Sequence, residues 1–200
     1  DAYGDAPTPA SFTHHGAWNL AGEGAGKVAM HTLQVEADAF LALGSDLVAT
    51  GHVLPVQGTP LDLRKGPLLE SVFPVAGRFL HSSAPLEVLE MLGHFGGLDH
   101  AFVTTPAAPG VMRDVAVFRD PASGRRLTLS TSEPILQIFT SNGFDGSLLG
   151  RSGRPLLQHG GVALEPERWP NAVHRPEWPS ALVTPSAPYH FRTAYRFDVT

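Results

Sequence analysis

Apolar and polar residues alternate with a period of two in several short runs along the chain. In residues 30–37 (MHTLQVEA), His31, Leu33, Val35 and Ala37 fall on one side, while Met30, Thr32, Gln34 and Glu36 fall on the other. That period predicts a half-buried β-strand. Residues 111–118, 126–131 and 135–140 are further short runs of strand-forming residues. Between the first two lies Asp120-Pro121-Ala122-Ser123-Gly124, a Pro/Gly turn that predicts a hairpin. Residues 189–199 give the cleanest alternation: Tyr189, Phe191, Thr193, Tyr195 and Phe197 form an aromatic inner face opposite His190, Arg192, Ala194 and Arg196. One stretch alone predicts a helix, residues 85–92, with Pro85 in the first turn and Leu86, Leu89 and Leu92 three apart.

Composition sharpens this into an architecture. The 200 residues hold 21 Gly and 18 Pro, well above the roughly 12% of average usage, and neither residue suits a helix interior. A helical bundle is excluded. Turn signals recur without a composition break: 21–26 is a Gly-rich loop, and 58–60 and 176–180 read as loops too. There is no internal repeat, heptad or low-complexity tail. The expected fold is therefore one all-β domain over residues 1–200, an antiparallel sandwich of many strands. A chain of this length buries roughly 70% of its unfolded surface in a single core and needs no staple.

Charge and residue usage then remove several kinds of function. Net charge is −5 with no basic run, which argues against a nucleic-acid partner. No apolar stretch reaches the roughly 18 residues a membrane span requires, so no membrane partner is expected. The opening DAYGDAPTP has neither a charged nor an apolar targeting segment; a cytoplasmic location is expected, with the periplasm as the alternative. Absence of cysteine removes disulfides, thiolate metal sites and cysteine nucleophiles together.

Ala21-Gly22-Glu23-Gly24-Ala25-Gly26-Lys27-Val28 nearly spells a phosphate-binding loop. Val28 replaces the hydroxyl that would bind magnesium, and Glu23 sets a carboxylate among amides meant for phosphate, so a plain glycine turn is expected. The ten histidines show no HExxH or HxH spacing, and His14 and His15, adjacent in an extended segment, point to opposite faces. No metal is expected. More informative are polar residues set among apolar ones: His15 before Gly16-Ala17-Trp18, Asp99 after Gly96-Gly97-Leu98, Gln137 within Ile135-Leu136-Gln137-Ile138-Phe139, and Glu165 closing Val162-Ala163-Leu164-Glu165. An isolated carboxylate on a buried strand needs a partner or raises its own pKa. Such groups are more often structural ion pairs than active-site bases.

These segments together resemble the aldose 1-epimerase (galactose mutarotase) family. Thr13-His14-His15-Gly16-Ala17-Trp18-Asn19-Leu20-Ala21-Gly22 is similar to T-N-H-S-Y-F-N-L-A-G. Leu54-Pro55-Val56-Gln57-Gly58-Thr59-Pro60-Leu61-Asp62-Leu63-Arg64 resembles V-x-G-T-P-F-D-F-R, and Gly97-Leu98-Asp99-His100-Ala101-Phe102 resembles G-Y-D-H-N-F. Ser132-Glu133-Pro134-Ile135-Leu136-Gln137-Ile138-Phe139-Thr140 is similar to T-x-E-P-x-x-Q-F-Y-T. Leu164-Glu165 with Trp169-Pro170-Asn171-Ala172 resembles L-E-T-Q-x-F-P-D-A, and Tyr195-Arg196-Phe197 the terminal Y-R-F. The resemblances run in the family's order over nearly the whole chain.

What the resemblance implies is a large antiparallel β-sandwich of the galactose mutarotase-like type, here lacking its N-terminal portion, and interconversion of the α and β anomers of a free aldose of the glucose or galactose kind. It implies no cofactor and a monosaccharide as the binding partner. It gives His15 the role of acid at the ring oxygen and Glu165 that of base at the anomeric hydroxyl, with Asp99 and Gln137 holding sugar hydroxyls. A second histidine and an arginine of the family's site lie upstream of the T-N-H motif, so weak catalysis is expected from these residues alone. His14, Gly16 and Ala17 depart from Asn, Ser and Tyr, and Pro166-Glu167 departs from Thr-Gln. Glu167 brings a second carboxylate near Glu165. Other readings remain: a relative acting on a phosphorylated sugar, with Arg64, Arg125, Arg126 and Arg192 as phosphate ligands; a glycoside hydrolase using Asp99 and Glu165; and a non-catalytic carbohydrate-binding module stacking sugars on Trp18, Trp169 and Trp178, residues whose expected place is the core.

Overall fold

The computed structural model describes residues 1–74 and 84–200. In chain order its strands are β1 (Thr8–Pro9), β2 (Ala17–Trp18), β3 (Thr32–Val35), β4 (Ala37–Leu43), β5 (Ala49–Pro55), β6 (Asp99–Thr104) and β7 (Arg113–Arg119). There follow β8 (Arg125–Thr131), β9 (Ile135–Phe139), β10 (Asp145–Leu149), β11 (Pro155–Leu157), β12 (Val162–Glu167), β13 (Leu182–Val183) and β14 (Thr193–Val199). Helix α1 (Leu86–Gly93) begins one residue after Pro85, whose carbonyl accepts from the amides of Val88 and Leu89. Among the described residues it is the single α-helix.

Two antiparallel sheets form the body of the fold. One has six strands in the order β2-β12-β9-β6-β4-β5, the other four in the order β14-β8-β7-β3. One apolar cluster draws on both: Phe40, Phe102, Leu136, Ile138 and Leu164 from the first, Leu33, Phe118, Leu127 and Leu129 from the second. The sheets therefore pack face to face as a sandwich. Tyr195 ties the layers together, its hydroxyl donating at 2.9 Å from β14 to the carbonyl of Leu164 on β12.

The expected single strand over residues 30–37 is two strands in different sheets. β3 lies at the edge of the four-stranded sheet and β4 within the six-stranded one. Between them the Glu36 amide donates to the Val115 carbonyl at 2.9 Å and its carbonyl accepts from Thr105 at 2.9 Å. Alternation continues across the switch, with Leu33, Val35 and Ala37 all buried, because both faces in question look into one core. The C-terminal strand also departs from expectation. It starts at Thr193, and Tyr189 is buried off the strand, bridged to Ala2. Since β14 is an edge strand, Phe197 on the expected inner face stays 52% exposed.

The hairpin between β7 and β8 forms as expected. Asp120 accepts from the Ala122 amide (3.1 Å) and the Ser123 hydroxyl (2.6 Å), and Gly124 takes the left-handed φ of 71° that closes the turn.

Candidate active site

The three central strands β12, β9 and β6 set the site by register. Glu165 lies opposite Gln137, and Gln137 opposite Ala101; Asp99 lies opposite Phe139. Successive strand residues point to opposite faces. Leu164, Ile138, Leu136 and Phe102 enter the sandwich core, so Glu165, Gln137 and Asp99 stand on the sheet's other face, where Leu41, Ala49, Ala101 and Ile135 form a second, smaller apolar cluster.

Asp99 owes its position to the residues before it. The Leu98 amide donates to Thr140 Oγ1 at 2.9 Å, and the Asn142 amide donates to the Leu98 carbonyl at 2.9 Å. Gly97 is required there, because a Cβ would collide with Asn142, Thr140 and His159. After it, His100 packs its ring against the edges of Phe40 and Phe95. Burial pushes His100 down to about 3, so it is a neutral core residue rather than a site base.

On that face Gln137 Nε2 donates to Asp99 Oδ1 at 2.6 Å, and His15 Nδ1 lies 2.6 Å from Glu165 Oε1. The Glu165 side chain is 8% exposed and that of His15 68%. The His15 ring stacks on Phe139, with centroids 5.9 Å apart. His14 turns the other way, onto Trp18 and Tyr195, as expected of neighbours in an extended segment. It can do so because residue 16 is glycine; a Cβ there would run into the His14 ring.

Burial raises the Glu165 carboxyl, against the pull of the His15 hydrogen bond, and the nearby Asp99 raises it further. Burial also raises Asp99, opposed by the Gln137 hydrogen bond and by His15. The structure thus holds a buried carboxyl of elevated proton affinity in contact with an exposed imidazole, beside a carboxyl–amide pair. Such an arrangement suits proton exchange with a polyhydroxylated ligand.

A cavity of about 330 Å³ opens beside this group. Asp99 and Gln137 line it, with Ala101, Phe95, Asn171 and Glu167. His15 and Glu165 are not on its wall but adjoin it through Gln137. Phe95 and Asn171 are additions that spacing does not reveal: Phe95 follows the helix end, and Asn171 is held in the left-handed region (φ 63°) by donating to the Ala49 carbonyl at 2.9 Å.

Other sequence features are accounted for structurally. The loop over residues 21–28 is a turn, and Glu23 accepts from the Arg151 and Ser152 amides rather than leaving room for phosphate. Trp169 and Trp178 pack on each other (5.0 Å) against the small apolar cluster, and Trp18 packs against the main core. None of Arg64, Arg125, Arg126 and Arg192 lines the cavity. Arg64 pairs with Asp62 and Asp38, Arg126 with Asp198, and Arg125 donates to the Leu20 carbonyl. Among the described residues no group of three or more His, Asp or Glu is placed to hold a metal, and no helix is long and apolar enough to cross a membrane.

Comparison with known proteins bears on the family and the fold. Residues 2–196 match the aldose 1-epimerase family. The galactose mutarotase of Sus scrofa is 35% identical over 194 residues, 96% of this chain and 51% of that protein. The aldose 1-epimerase of Escherichia coli K12 is 30% identical over 196 residues, 96% of this chain and 52% of that protein. The chain spans about half the length of the curated relatives it matches. Among solved structures, the GalM/aldose epimerase homologue from C. elegans superposes with a TM-score of 0.71 at 23% identity, covering 98% of this chain and 54% of that one. The galactose 1-epimerase from Lactobacillus acidophilus gives 0.68 at 18%, covering 98% and 51%. At such identities these two structures bear on the fold alone.

Proposed function

This chain belongs to the aldose 1-epimerase family, and on that premise we propose that it serves to interconvert the α and β anomers of a free aldose of the glucose or galactose type. The observation that carries the reading is the 2.6 Å contact of His15 with buried Glu165 on the same sheet face as the bonded Asp99–Gln137 pair. In this reading Glu165 is the base, His15 the acid, and Asp99 and Gln137 hold ring hydroxyls.

Both proton transfers can be assigned to these groups. A carboxylate at Glu165 takes the proton from the anomeric hydroxyl while the imidazolium of His15 gives one to the ring oxygen. The bond from C1 to the ring oxygen breaks, C1 becomes an aldehyde carbon, and His15 is left neutral. Rotation about C1–C2 presents the other carbonyl face. His15 then recovers its proton from the former ring oxygen as that oxygen attacks C1, and Glu165 returns its own to O1. Both groups end as they began. Burial that raises Glu165 brings its proton affinity closer to neutral pH, which strengthens it as a base. Because His15 is largely exposed, its ring has room to leave Glu165 and admit the sugar between them.

The test is Glu165→Gln in this protein, followed by polarimetry on freshly dissolved α-glucose and α-galactose. The amide keeps the shape but accepts no proton, so mutarotation should fall by about 10²–10⁴-fold while sugar binding and fold persist. Near-normal rates would assign the base elsewhere.

A further inference from the structure

Of the two carboxyls on the cavity wall, Asp99 is bonded to Gln137, whereas Glu167 has no role in the mechanism above. Glu167 lies opposite Ile135 in the β12–β9 register, on the same face as Glu165 and two residues beyond it. Strand rise separates their Cα atoms by about 6.7 Å, comparable to the span of one hexose ring. Among the described residues its carboxyl makes no hydrogen bond and no ion pair. The charged groups that act on it are the carboxyls of Glu165 and Glu133, and Leu43, Ala49 and Ala101 line the wall beside it. A half-buried carboxyl in such surroundings, lacking a donor from the protein, is completed by a ligand that brings one.

We infer that Glu167 is a substrate-contacting residue that accepts a hydrogen bond from a hydroxyl on the side of the sugar ring away from the anomeric carbon, and thereby sets which aldoses the site prefers. The placement follows from the register: with O1 at Glu165, a ring laid along β12 brings its far hydroxyls to Glu167. At this position the family motif L-E-T-Q carries an amide, which both donates and accepts; Glu167 in its ionised form, above about pH 7, only accepts, so there it selects for a hydroxyl oriented to donate.

The inference rests on the epimerase reading, and two assays separate their failures. Glu167→Ala and Glu167→Gln are compared with the unsubstituted protein by polarimetry on galactose, glucose and their 3-, 4- and 6-deoxy analogues. Binding of methyl α-glycosides, which cannot mutarotate, is measured by titration calorimetry. Measured at pH 8.5, where Glu167 is ionised, loss of a hydrogen bond to a charged acceptor should raise KM and the glycoside Kd about tenfold or more in Glu167→Ala, with kcat held and a smaller rise in Glu167→Gln. The penalty should vanish on the one deoxy sugar that lacks the contacted hydroxyl. Unchanged KM and Kd, or an equal penalty on every analogue, would overturn the inference. A fall in kcat with KM held would overturn it too, by making Glu167 the proton acceptor. If the unsubstituted protein binds glycosides but does not mutarotate, the epimerase reading fails and the glycoside titration still decides on Glu167. If it binds no glycoside, both fail.

Discussion

Replacing Glu167 by Gln should stabilise the fold at alkaline pH and leave it unchanged in acid. Burial, reinforced by the charges of Glu165 and Glu133, raises the Glu167 carboxyl from 4.5 to about 7. A group whose folded pKa is raised contributes stability that is complete below the unfolded value and is lost as pH climbs through the folded one. The unsubstituted protein should therefore lose stability between about pH 4.5 and 7, then level off. At about 1.4 kcal/mol per pH unit the full effect is about 3 kcal/mol, an upper figure because the carboxyl is only half-buried and keeps some water. A glutamine is neutral throughout, so the difference between the two proteins should open over that window and stay constant above pH 7. Urea melts every half unit from pH 5 to 8.5 measure it directly, with equal m-values as the check that the unfolded state is unaltered. In a chain of 200 residues the plateau corresponds to a rise in Tm of about 6–12 °C. A stability difference independent of pH, or a destabilised amide variant at pH 8, would show that the carboxyl finds water or a cation and that the burial argument is wrong.

Other substitutions probe the scaffold and the site separately. Tyr195→Phe removes the hydroxyl that joins the two sheets at Leu164 and should lower stability by about 1 kcal/mol in urea melts; no change would mean water replaces that bond without loss. Phe118→Ala empties a fully buried position between the sheets and should destabilise by about 3–5 kcal/mol, read as a drop in the urea midpoint at constant m. Gly16→Ala drives a Cβ into the His14 ring and displaces that ring from Trp18 and Tyr195; if this turn also positions the adjoining His15, mutarotation should fall by about 10- to 100-fold with stability nearly intact, and an unaltered rate would show that His15 is not held by this turn. The rate itself should rise with pH from above 4.5 as Glu165, raised by burial, loses its proton; a flat acid limb in the pH profile would remove it as base.

Much of the all-β character was legible in the chain, for an elementary reason. Period two fixes which side chains share a face, and Leu33 and Val35 lie buried on the face that alternation assigns them, while Leu127, Leu129, Leu136 and Ile138 are buried within the runs read as strands. Gly124 and Asp120 likewise carry their turn within their own backbone and side-chain chemistry. Local pattern carries no information about which sheet a strand joins. Residues 30–37 read as one strand because both sheets face one core, and the switch at Glu36 is decided by hydrogen bonds to Val115 and Thr105, far along the chain. Edge position is equally invisible: Phe197 has the pattern of an inner residue but lacks a neighbouring strand beyond it to cover it.

The candidate site divides in the same way. His15, Asp99, Gln137 and Glu165 stand out as polar residues in apolar or glycine-rich settings, and the sequence singles them out on chemistry alone. Register makes three of them neighbours, since Glu165 meets Gln137 across β12 and β9 and Asp99 reaches Gln137 from β6, while His15 arrives from the extended segment before β2. Asn171 and Phe95 join the cavity wall through loop geometry that no spacing rule describes. The elevated affinity of Glu165 and Glu167 for protons is a property of tertiary burial. The chain specifies which groups are present; their desolvation, and so their reactivity, comes only when distant strands close over them.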